Sequence, residues 1–160
     1  CTDFTYISLT NGTLRYNCSI IDLYDRSIVA SETGKWITTD LAIRTLDKAL
    51  NSQRKKPENL ILHSDQGSQF TSVQFILYCQ EHGILQSMSA AGCPFDNAPM
   101  ERYYNTFKEE LINRFNFQTD EELNHAISEY AYGWYNQIRP HSFNDYQTPF
   151  EARYQLDQIR

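Results

Sequence analysis

The sequence predicts one α/β domain in which a mixed β-sheet is flanked by helices. Three observations favour this class. The first third of the 160 residues is rich in β-branched side chains, which pack well in strands. The last third is rich in Glu, Tyr and helix-forming residues. Between them, short apolar segments alternate with segments of helical periodicity, a pattern typical of a sheet covered by helices on both sides.

The first third predicts a three-stranded antiparallel meander. Polar and apolar residues alternate over residues 2–9, which indicates a half-buried strand. Asn11-Gly12 follows and is the strongest hairpin signal in the chain. Residues 13–24 would form the partner strand, Asp25-Arg26 a second turn, and residues 27–33 the third strand.

The middle of the chain predicts strands that alternate with helices. Apolar residues recur at helical spacing from a cap at Thr39-Asp40 to about residue 51, and the basic residues 53–57 form a loop. The apolar run 60–62 indicates a strand buried on both faces. A capping box of Thr71 and Gln74 starts a helix that ends near residue 82, and residues 84–88 read as another strand.

Two helices are predicted after a loop at residues 89–95. The first starts at Asn97, with Asp96 or Asn97 as its cap and Pro99 just inside, and its apolar stripe is Met100, Tyr104, Phe107 and Leu111. The second starts with a capping box of Thr119 and Glu122, and its inward residues would be Leu123, Ile127, Tyr130 and Trp134.

Composition limits the classes of function. The formal net charge is −6, with 14 Lys and Arg against 20 Asp and Glu, which argues against a simple nucleic-acid coat because such proteins bind phosphates through many cations. An enzyme that holds cations between carboxylates remains compatible. No apolar run approaches the ~20 residues of a membrane helix and no leader opens the sequence. We expect a soluble, cytoplasmic protein with no membrane partner.

The four cysteines favour a packing role. They form no Cys-x-x-Cys pair. Cys79 and His82 are the nearest candidates for a metal pair, but two further ligands are not in evidence. We expect small buried thiols.

Three acidic residues stand where chemistry is expected in such a fold. Asp3 lies on the opening strand, Asp65 follows the buried strand 60–62, and Glu101 occupies the first turns of a helix. Ligands of open α/β sheets gather outside the carboxyl ends of strands. Carboxylates that converge there repel one another unless cations lie between them. Mg²⁺ suits such a site, and a pair of ions can clamp both oxygens of a phosphoryl transfer.

Three segments carry a resemblance to a known family. Residues 2–7, 63–70 and 96–101 resemble the integrase core of bacterial insertion-sequence transposases, which are relatives of retroviral integrases. In that family an Asp, Asp, Glu triad has 35 residues between its last two members, and 35 residues lie between Asp65 and Glu101. Residues 134–141 and Thr148-Pro149 resemble the closing motif of the same family.

The resemblance implies both a fold and an activity. The fold would be ribonuclease-H-like, with a five-stranded mixed sheet, and residues 1–160 would be the catalytic core of a longer transposase whose end-recognition region lies upstream. Asp3, Asp65 and Glu101 would bind two Mg²⁺ or Mn²⁺ ions for DNA strand cleavage and strand transfer. The partners would be DNA, at transposon ends and target, and further copies of the chain in a homodimer or higher oligomer.

The resemblance also implies candidate DNA contacts. Asn105 and Lys108 follow Glu101 by four and seven residues, which places all three on one helix face. Lys108 matches a basic residue that touches the DNA end, and Asn105 and Gln69 are further candidates.

Other polar residues receive structural or open interpretations. Asp22 competes with Asp3 for the first acid position but fits a structural or supporting role better. His63 would share the packing of its strand. Arg139 and His141 would either order the closing loop or contact DNA.

Two other functions fit the same fold. The chain would also suit a non-catalytic module for DNA docking or assembly that keeps the fold without the activity. A ribonuclease H-type nuclease, which cuts RNA–DNA hybrids, would share both the fold and the metals.

Overall fold

The computed structural model describes residues 1–52, 59–90 and 97–155. The predicted loop at 53–57 and most of the loop at 89–95 lie outside these residues. The elements are, in chain order, β1 (Thr2–Ser8), β2 (Leu14–Ile21), β3 (Ile28–Gly34), α1 (Thr39–Ser52), β4 (Ile61–Ser64), α2 (Val73–Glu81), β5 (Leu85–Met88), α3 (Ala98–Phe107), α4 (Asp120–Ser128) and α5 (Pro149–Gln155). Helix α3 continues as a π-helix over Lys108–Ile112, and α4 continues as one over Glu129–Ile138.

The predicted meander is confirmed. Strands β1, β2 and β3 pair antiparallel in that order, with Asp3 opposite Ser19 and Ser19 opposite Ser31. The hairpin turn lies at Asn11-Gly12, where Gly12 has a φ of +81°. The Asn11 side chain accepts a hydrogen bond from the Thr13 amide at 3.0 Å, the local bond that makes Asn favourable in turns.

Strand β4 lies beside β1, and β5 lies on the far side of β4. Strands β4 and β5 pair in parallel, and β4 contacts β1, so the five strands follow the order β3, β2, β1, β4, β5. Ladder hydrogen bonds divide them into a three-stranded antiparallel sheet and a two-stranded parallel sheet. The predicted α/β class, with antiparallel and parallel strands flanked by helices, is confirmed. This order places Asp3 of β1 beside the strand that leads to Asp65.

Helices cover the strands with two apolar clusters. One cluster is aromatic and joins β1 to α3, α4 and their π-helical continuations, and its fully buried members include Ile7, Met100, Tyr103, Phe107 and Leu123. The other cluster joins the sheet to α1 and α2 through Ala30, Leu46, Leu62, Phe70 and Phe75. The predicted stripe of α3 is confirmed, since all four of its residues are buried.

The start of α2 corrects one prediction. The N-cap is Ser72, whose hydroxyl accepts a hydrogen bond from the Phe75 amide at 3.2 Å. The Thr71 hydroxyl donates instead to the carbonyl of Gly67 at 3.2 Å. The predicted capping box of Thr71 and Gln74 is therefore wrong, because the preceding turn uses the Thr71 hydroxyl and the helix begins one residue later.

The end of the α4 helix corrects another prediction. The capping box of Thr119 and Glu122 is confirmed, as are the buried positions of Leu123, Ile127 and Tyr130. Trp134, however, is 47% exposed, whereas Tyr135 is only 3% exposed. The change from α- to π-helix explains the error, because the wider turn brings the fifth residue after Tyr130, rather than the fourth, back to the core.

Asp22 serves the fold. Its carboxylate accepts a hydrogen bond from Arg153 of α5 at 2.8 Å, and the same guanidinium pairs with the buried carboxylate of Asp25. Arg153 therefore fastens α5 to the turn between β2 and β3. The interpretation of Asp22 as a structural acid agrees with this contact.

Cys1, Cys18 and Cys79 are buried free thiols, as expected, and Cys93 lies outside the described residues. His82 stacks on Tyr78 and bonds its backbone carbonyl through Nδ1 at 2.9 Å. Over the ranges that the structure describes, no helix is long and apolar enough to cross a membrane.

Candidate active site

Asp3 is the most enclosed of the three predicted acids. Its Oδ1 accepts a hydrogen bond from the Phe4 amide at 2.7 Å, and its Oδ2 accepts one from the Asn97 side chain at 3.2 Å. Burial is the main cause that raises the pKa of Asp3, and the negative charges of Asp65 and Glu101 contribute to the rise, with a net result of about 6. The two hydrogen bonds oppose this shift.

Asp65 is held by the turn that follows β4. Its Oδ1 accepts a hydrogen bond from the Gly67 amide at 2.9 Å, which fixes one carboxylate oxygen. A Cβ atom at position 67 would stand 2.9 Å from that same Oδ1 and 2.7 Å from Oε1 of Gln69. A larger residue at position 67 would therefore displace the Asp65 carboxylate or the Gln69 amide.

Glu101 is exposed on the first turns of α3. Its helix is anchored by the buried side chains of Met100 and Tyr103. Asn97 occupies the N-cap position, but its side chain does not cap the helix. It donates to Asp3 instead, so the predicted capping role of Asn97 is corrected, while Asp96 lies outside the described residues.

The three acids lie within electrostatic range of one another, because Asp65 and Glu101 both act on the pKa of Asp3. Within residues 1–52, 59–90 and 97–155, no three His, Cys, Asp or Glu side chains are close enough together to hold a metal ion. The triad therefore stays a prediction as a metal site.

The donor chemistry at this place fits a divalent cation. Carboxylate oxygens are the ligands that Mg²⁺ and Mn²⁺ prefer. The side-chain oxygen of Asn97 is buried beside Asp3 and has no hydrogen-bond partner among the described residues. A cation would also relieve the repulsion that raises the pKa of Asp3.

The predicted DNA contacts lie on the outer side of α3 and near Asp65. Glu101 and Asn105 are exposed and Lys108 is half-buried, whereas Tyr104 and Phe107 of the opposite face are buried. The Lys108 ammonium stands 4.3 Å from the centre of the exposed Tyr6 ring, a cation–π contact. Gln69 lies in the turn after Asp65 and is half-buried.

His63 lies on β4 and shares the packing of that strand, as predicted. Its Nδ1 bonds the Ser87 hydroxyl at 2.9 Å and its Nε2 bonds the Ser89 hydroxyl at 3.1 Å. Both ring nitrogens are thus engaged in holding the parallel strands together.

Arg139 orders the closing segment. Its guanidinium donates to Glu110 at 2.9 Å, and Glu110 also accepts from the Tyr130 hydroxyl at 3.0 Å and from Trp134. These contacts join the π-helical ends of α3 and α4. Of the two roles left open by the sequence, the described contacts of Arg139 support ordering of the loop.

His141 lies edge-on to Tyr135, with ring centres 4.6 Å apart. Burial is the main cause that lowers the pKa of His141, the positive charges of Arg139 and Arg26 also lower it, and Glu110 opposes them, with a net fall from 6.5 to about 4. His141 is therefore a neutral part of the packed closing segment at physiological pH.

Replacing His141 should change how stability depends on pH. Because the pKa of His141 is lowered in the folded protein, the unfolded chain binds a proton between pH 6.5 and 4 that the folded protein does not bind. The free energy of unfolding therefore falls as the pH falls through that window. We expect the fall in Tm between pH 7 and pH 5 to be smaller in His141→Gln than in the wild type. His125→Gln, at an exposed position, should behave like the wild type, and equal falls in all three proteins would contradict the assignment.

Two residues near the acids were not foreseen as site residues. Asn97 was interpreted as a helix cap and Tyr104 as part of an apolar stripe, yet both form hydrogen bonds to Asp3. The sequence carries no signal for these contacts beyond their positions four residues before and three residues after Glu101.

The acids stand apart from an apolar cavity of the protein. This cavity of about 380 Å³ lies between α1 and β4, and none of the three acids lines it. Asp65 and Glu101 are exposed instead, and Asp3 is half-buried.

Comparison with known proteins defines the fold first. The chain superposes on the HTLV-2 integrase catalytic core domain in complex with magnesium with a TM-score of 0.68, at 18% identity, over 94% of this chain and 92% of that one. The Mos1 transposase catalytic domain, with raltegravir and Mg, gives 0.67 at 18% identity, over 82% and 69%. The fold is therefore ribonuclease-H-like, as in integrase and transposase catalytic cores.

Sequence comparison then defines the family. One family profile described as integrase core domain matches residues 1–94, and a second with the same description matches residues 82–149. This chain belongs to the integrase core domain family.

Curated relatives include mobile-element proteins. The transposase for insertion sequence element IS904 of Lactococcus lactis is 39% identical over 92% of this chain and 57% of its own length. The transposase InsF for insertion sequence IS3A of Escherichia coli is 34% identical over 88% and 48%. The chain thus spans about half the length of the curated relatives it matches.

Proposed function

We propose that this domain is the catalytic core of an insertion-sequence transposase that cleaves and rejoins DNA strands with the aid of two Mg²⁺ or Mn²⁺ ions. The observation that carries the proposal is the match of residues 1–94 and 82–149 to the integrase core domain family, together with a strand order that places Asp3 beside the strand leading to Asp65. Relatives named as transposases support it. Two neighbours in fold, the HTLV-2 integrase core and the Mos1 transposase domain, were solved with magnesium.

The chain's own residues would hold the ions and the DNA in distinct ways. Hydrogen bonds from Phe4 and Asn97 orient the Asp3 carboxylate, and a hydrogen bond from Gly67 orients the Asp65 carboxylate. Each of these two side chains would therefore present its oxygens to the ions in one orientation. Glu101 approaches from the start of α3. When bound, the metal ions would supply Lewis acidity for the leaving oxygen and would lower the pKa of a water or a DNA 3′-hydroxyl. A protein general base is then unnecessary, in keeping with the structural role of His63.

The proposed macromolecular partners are DNA and further copies of the chain. Transposon ends and target DNA would approach the open face that carries Glu101, Asn105 and Lys108. A homodimer or higher oligomer is supported by the dimeric and trimeric forms named for the HTLV-2 integrase core. With a net charge of −6, this domain would depend on local cations, and on a region upstream of it, to recognise the element's ends.

The first experiment is a calorimetric titration of Mg²⁺ and Mn²⁺ into the wild type, Glu101→Gln and Glu109→Gln. Glu109 is a matched control because it is exposed on the π-helical continuation of the same helix. We expect both ions to bind the wild type and Glu109→Gln and to lose affinity for Glu101→Gln. Equal binding by all three folded proteins, or binding by none, would overturn the metal site and favour the docking or assembly module.

The substrate is tested with the same proteins. We expect Mn²⁺-dependent nicking and joining of duplex DNA that carries the element's ends. Cleavage of an RNA–DNA hybrid without any action on duplex DNA would contradict the transposase proposal and identify a ribonuclease H-type nuclease.

Lys108→Gln should weaken DNA binding across sequences. A Lys that contacts one phosphate adds about one unit to the slope of log affinity against log salt, so we expect the slope to fall by about one. Arg44→Gln removes the same charge from α1, where Arg44 pairs with Asp40 and Glu32, and should leave the slope unchanged. DNA binding measured by anisotropy at several salt concentrations tests this, and equal slopes for the wild type and Lys108→Gln would remove Lys108 from the interface.

A further inference from the structure

The Tyr104 hydroxyl contacts both Asp3 of β1 and Ser19 of β2. It donates a hydrogen bond to the backbone carbonyl of Asp3 at 2.6 Å and accepts one from the amide of Ser19 at 3.0 Å. Asp3 and Ser19 are directly opposite each other in the β1–β2 register. A side chain of α3 therefore bridges the two strands at the residue that carries the first acid.

Helix α3 contacts Asp3 at a second point. Asn97, at the start of the helix, donates to the Asp3 carboxylate at 3.2 Å, while Tyr104 binds the Asp3 backbone. Glu101 lies between them, four residues after Asn97 and three residues before Tyr104. The helix that presents Glu101 thus holds both the side chain and the backbone of Asp3.

We infer that Tyr104 is a positioning residue that sets the separation between the Asp3 and Glu101 carboxylates. This inference rests on the proposed function, since the separation matters only if the two acids share a ligand. Ring packing also restrains α3 against β1, but it is less directional than a hydrogen bond. A buried hydroxyl with both a donor and an acceptor partner fixes their relative position, because shifting it would leave buried polar groups unpaired.

The neighbouring residue provides a matched control. Tyr103 is also fully buried and its ring centre lies 5.2 Å from that of Tyr104. Its hydroxyl lies near the Ser19 side chain, but in the part of the chain that the structure describes it forms no hydrogen bond to Asp3. Replacing either tyrosine by Phe keeps an aromatic ring in the same cluster, so only Tyr104→Phe removes a contact with Asp3.

The decisive experiment compares the wild type, Tyr104→Phe and Tyr103→Phe by Mn²⁺ titration calorimetry and by amide hydrogen exchange without metal. For Tyr104→Phe we expect the Kd for Mn²⁺ to rise about tenfold, as is usual when a partner that orients a metal ligand is lost. We also expect the Ser19 amide to exchange faster. Tyr103→Phe should match the wild type in both measurements.

The outcomes separate this inference from the proposed function. If the wild type binds no Mn²⁺, the proposed function fails, and an unchanged Ser19 exchange rate in Tyr104→Phe would then reject the bridging hydroxyl as well. If the wild type binds Mn²⁺ and Tyr104→Phe binds it equally well, the positioning role is overturned while the metal site stands. Equal losses of affinity in both variants, or unfolding of Tyr104→Phe alone, would assign Tyr104 to packing and stability and also overturn the inference.

Discussion

Asp65→Asn is expected to abolish metal-dependent nicking of DNA while the domain stays folded. The Asp65 side chain is exposed and accepts one hydrogen bond, from the Gly67 amide, which the Asn oxygen can also accept. The substitution therefore removes the negative charge without disturbing the turn. Charge stabilisation by a metal ion is worth several kcal/mol and each 1.36 kcal/mol is a factor of ten in rate, so we expect a loss of about a thousandfold or more.

The control for this prediction is Asp22→Asn. Asp22 is the other acid near the start of the chain, but its partner is Arg153 of α5. Its replacement should leave nicking unchanged and cost only the modest stability of a half-exposed ion pair. Initial rates in Mn²⁺ with circular dichroism of both variants test the pair. Full activity in Asp65→Asn, or equal losses in both variants, would refute the role of Asp65.

Local signals in the sequence were sufficient for most of the fold. The Asn11-Gly12 turn predicted the first hairpin because its conformation demands residues that tolerate positive φ. The capping box of Thr119 and Glu122 marked the start of α4 because both hydrogen bonds form within one turn. Such features depend on neighbours in sequence, so sequence reasoning finds them.

Errors arose where competing local bonds or a change of helix type decided the outcome. Thr71 and Ser72 are adjacent hydroxyl residues, and only the folded turn at Gly67 determines which of them caps α2. The prediction that Trp134 points inward was wrong because the 3.6-residue period was applied to a segment that is π-helical. That change widens the helix turn, and no simple residue pattern marks it.

The candidate site was predicted only in part. The three acids were identified from strand ends and from the family resemblance, and the order of the strands places Asp3 next to the strand that precedes Asp65. The contacts that orient Asp3 were not identified. They join pairs of residues that are separated by 94 and 101 positions in the sequence. They therefore appear only when α3 packs across β1.

Phe107→Ala is expected to produce the largest loss of stability. Phe107 is fully buried in the aromatic cluster, with ring centres 5.8 Å from Tyr103 and 5.6 Å from Tyr130. Removing a buried phenyl ring loses its transfer free energy and leaves a cavity, which together cost about 3–5 kcal/mol. A domain of ordinary stability has only about 5–15 kcal/mol to lose, so the urea midpoint should fall sharply.

Phe115→Ala is the matched comparison, because Phe115 follows the same helix but is 59% exposed. Its loss should stay near the ±0.5 kcal/mol that is typical of surface positions. Urea unfolding of both variants in metal-free buffer measures the difference. Similar midpoints would mean that the face of α3 opposite Glu101 is not packed as described. The rigidity of that helix depends on the same buried rings. The position of Glu101 relative to Asp3 would then lose its structural basis.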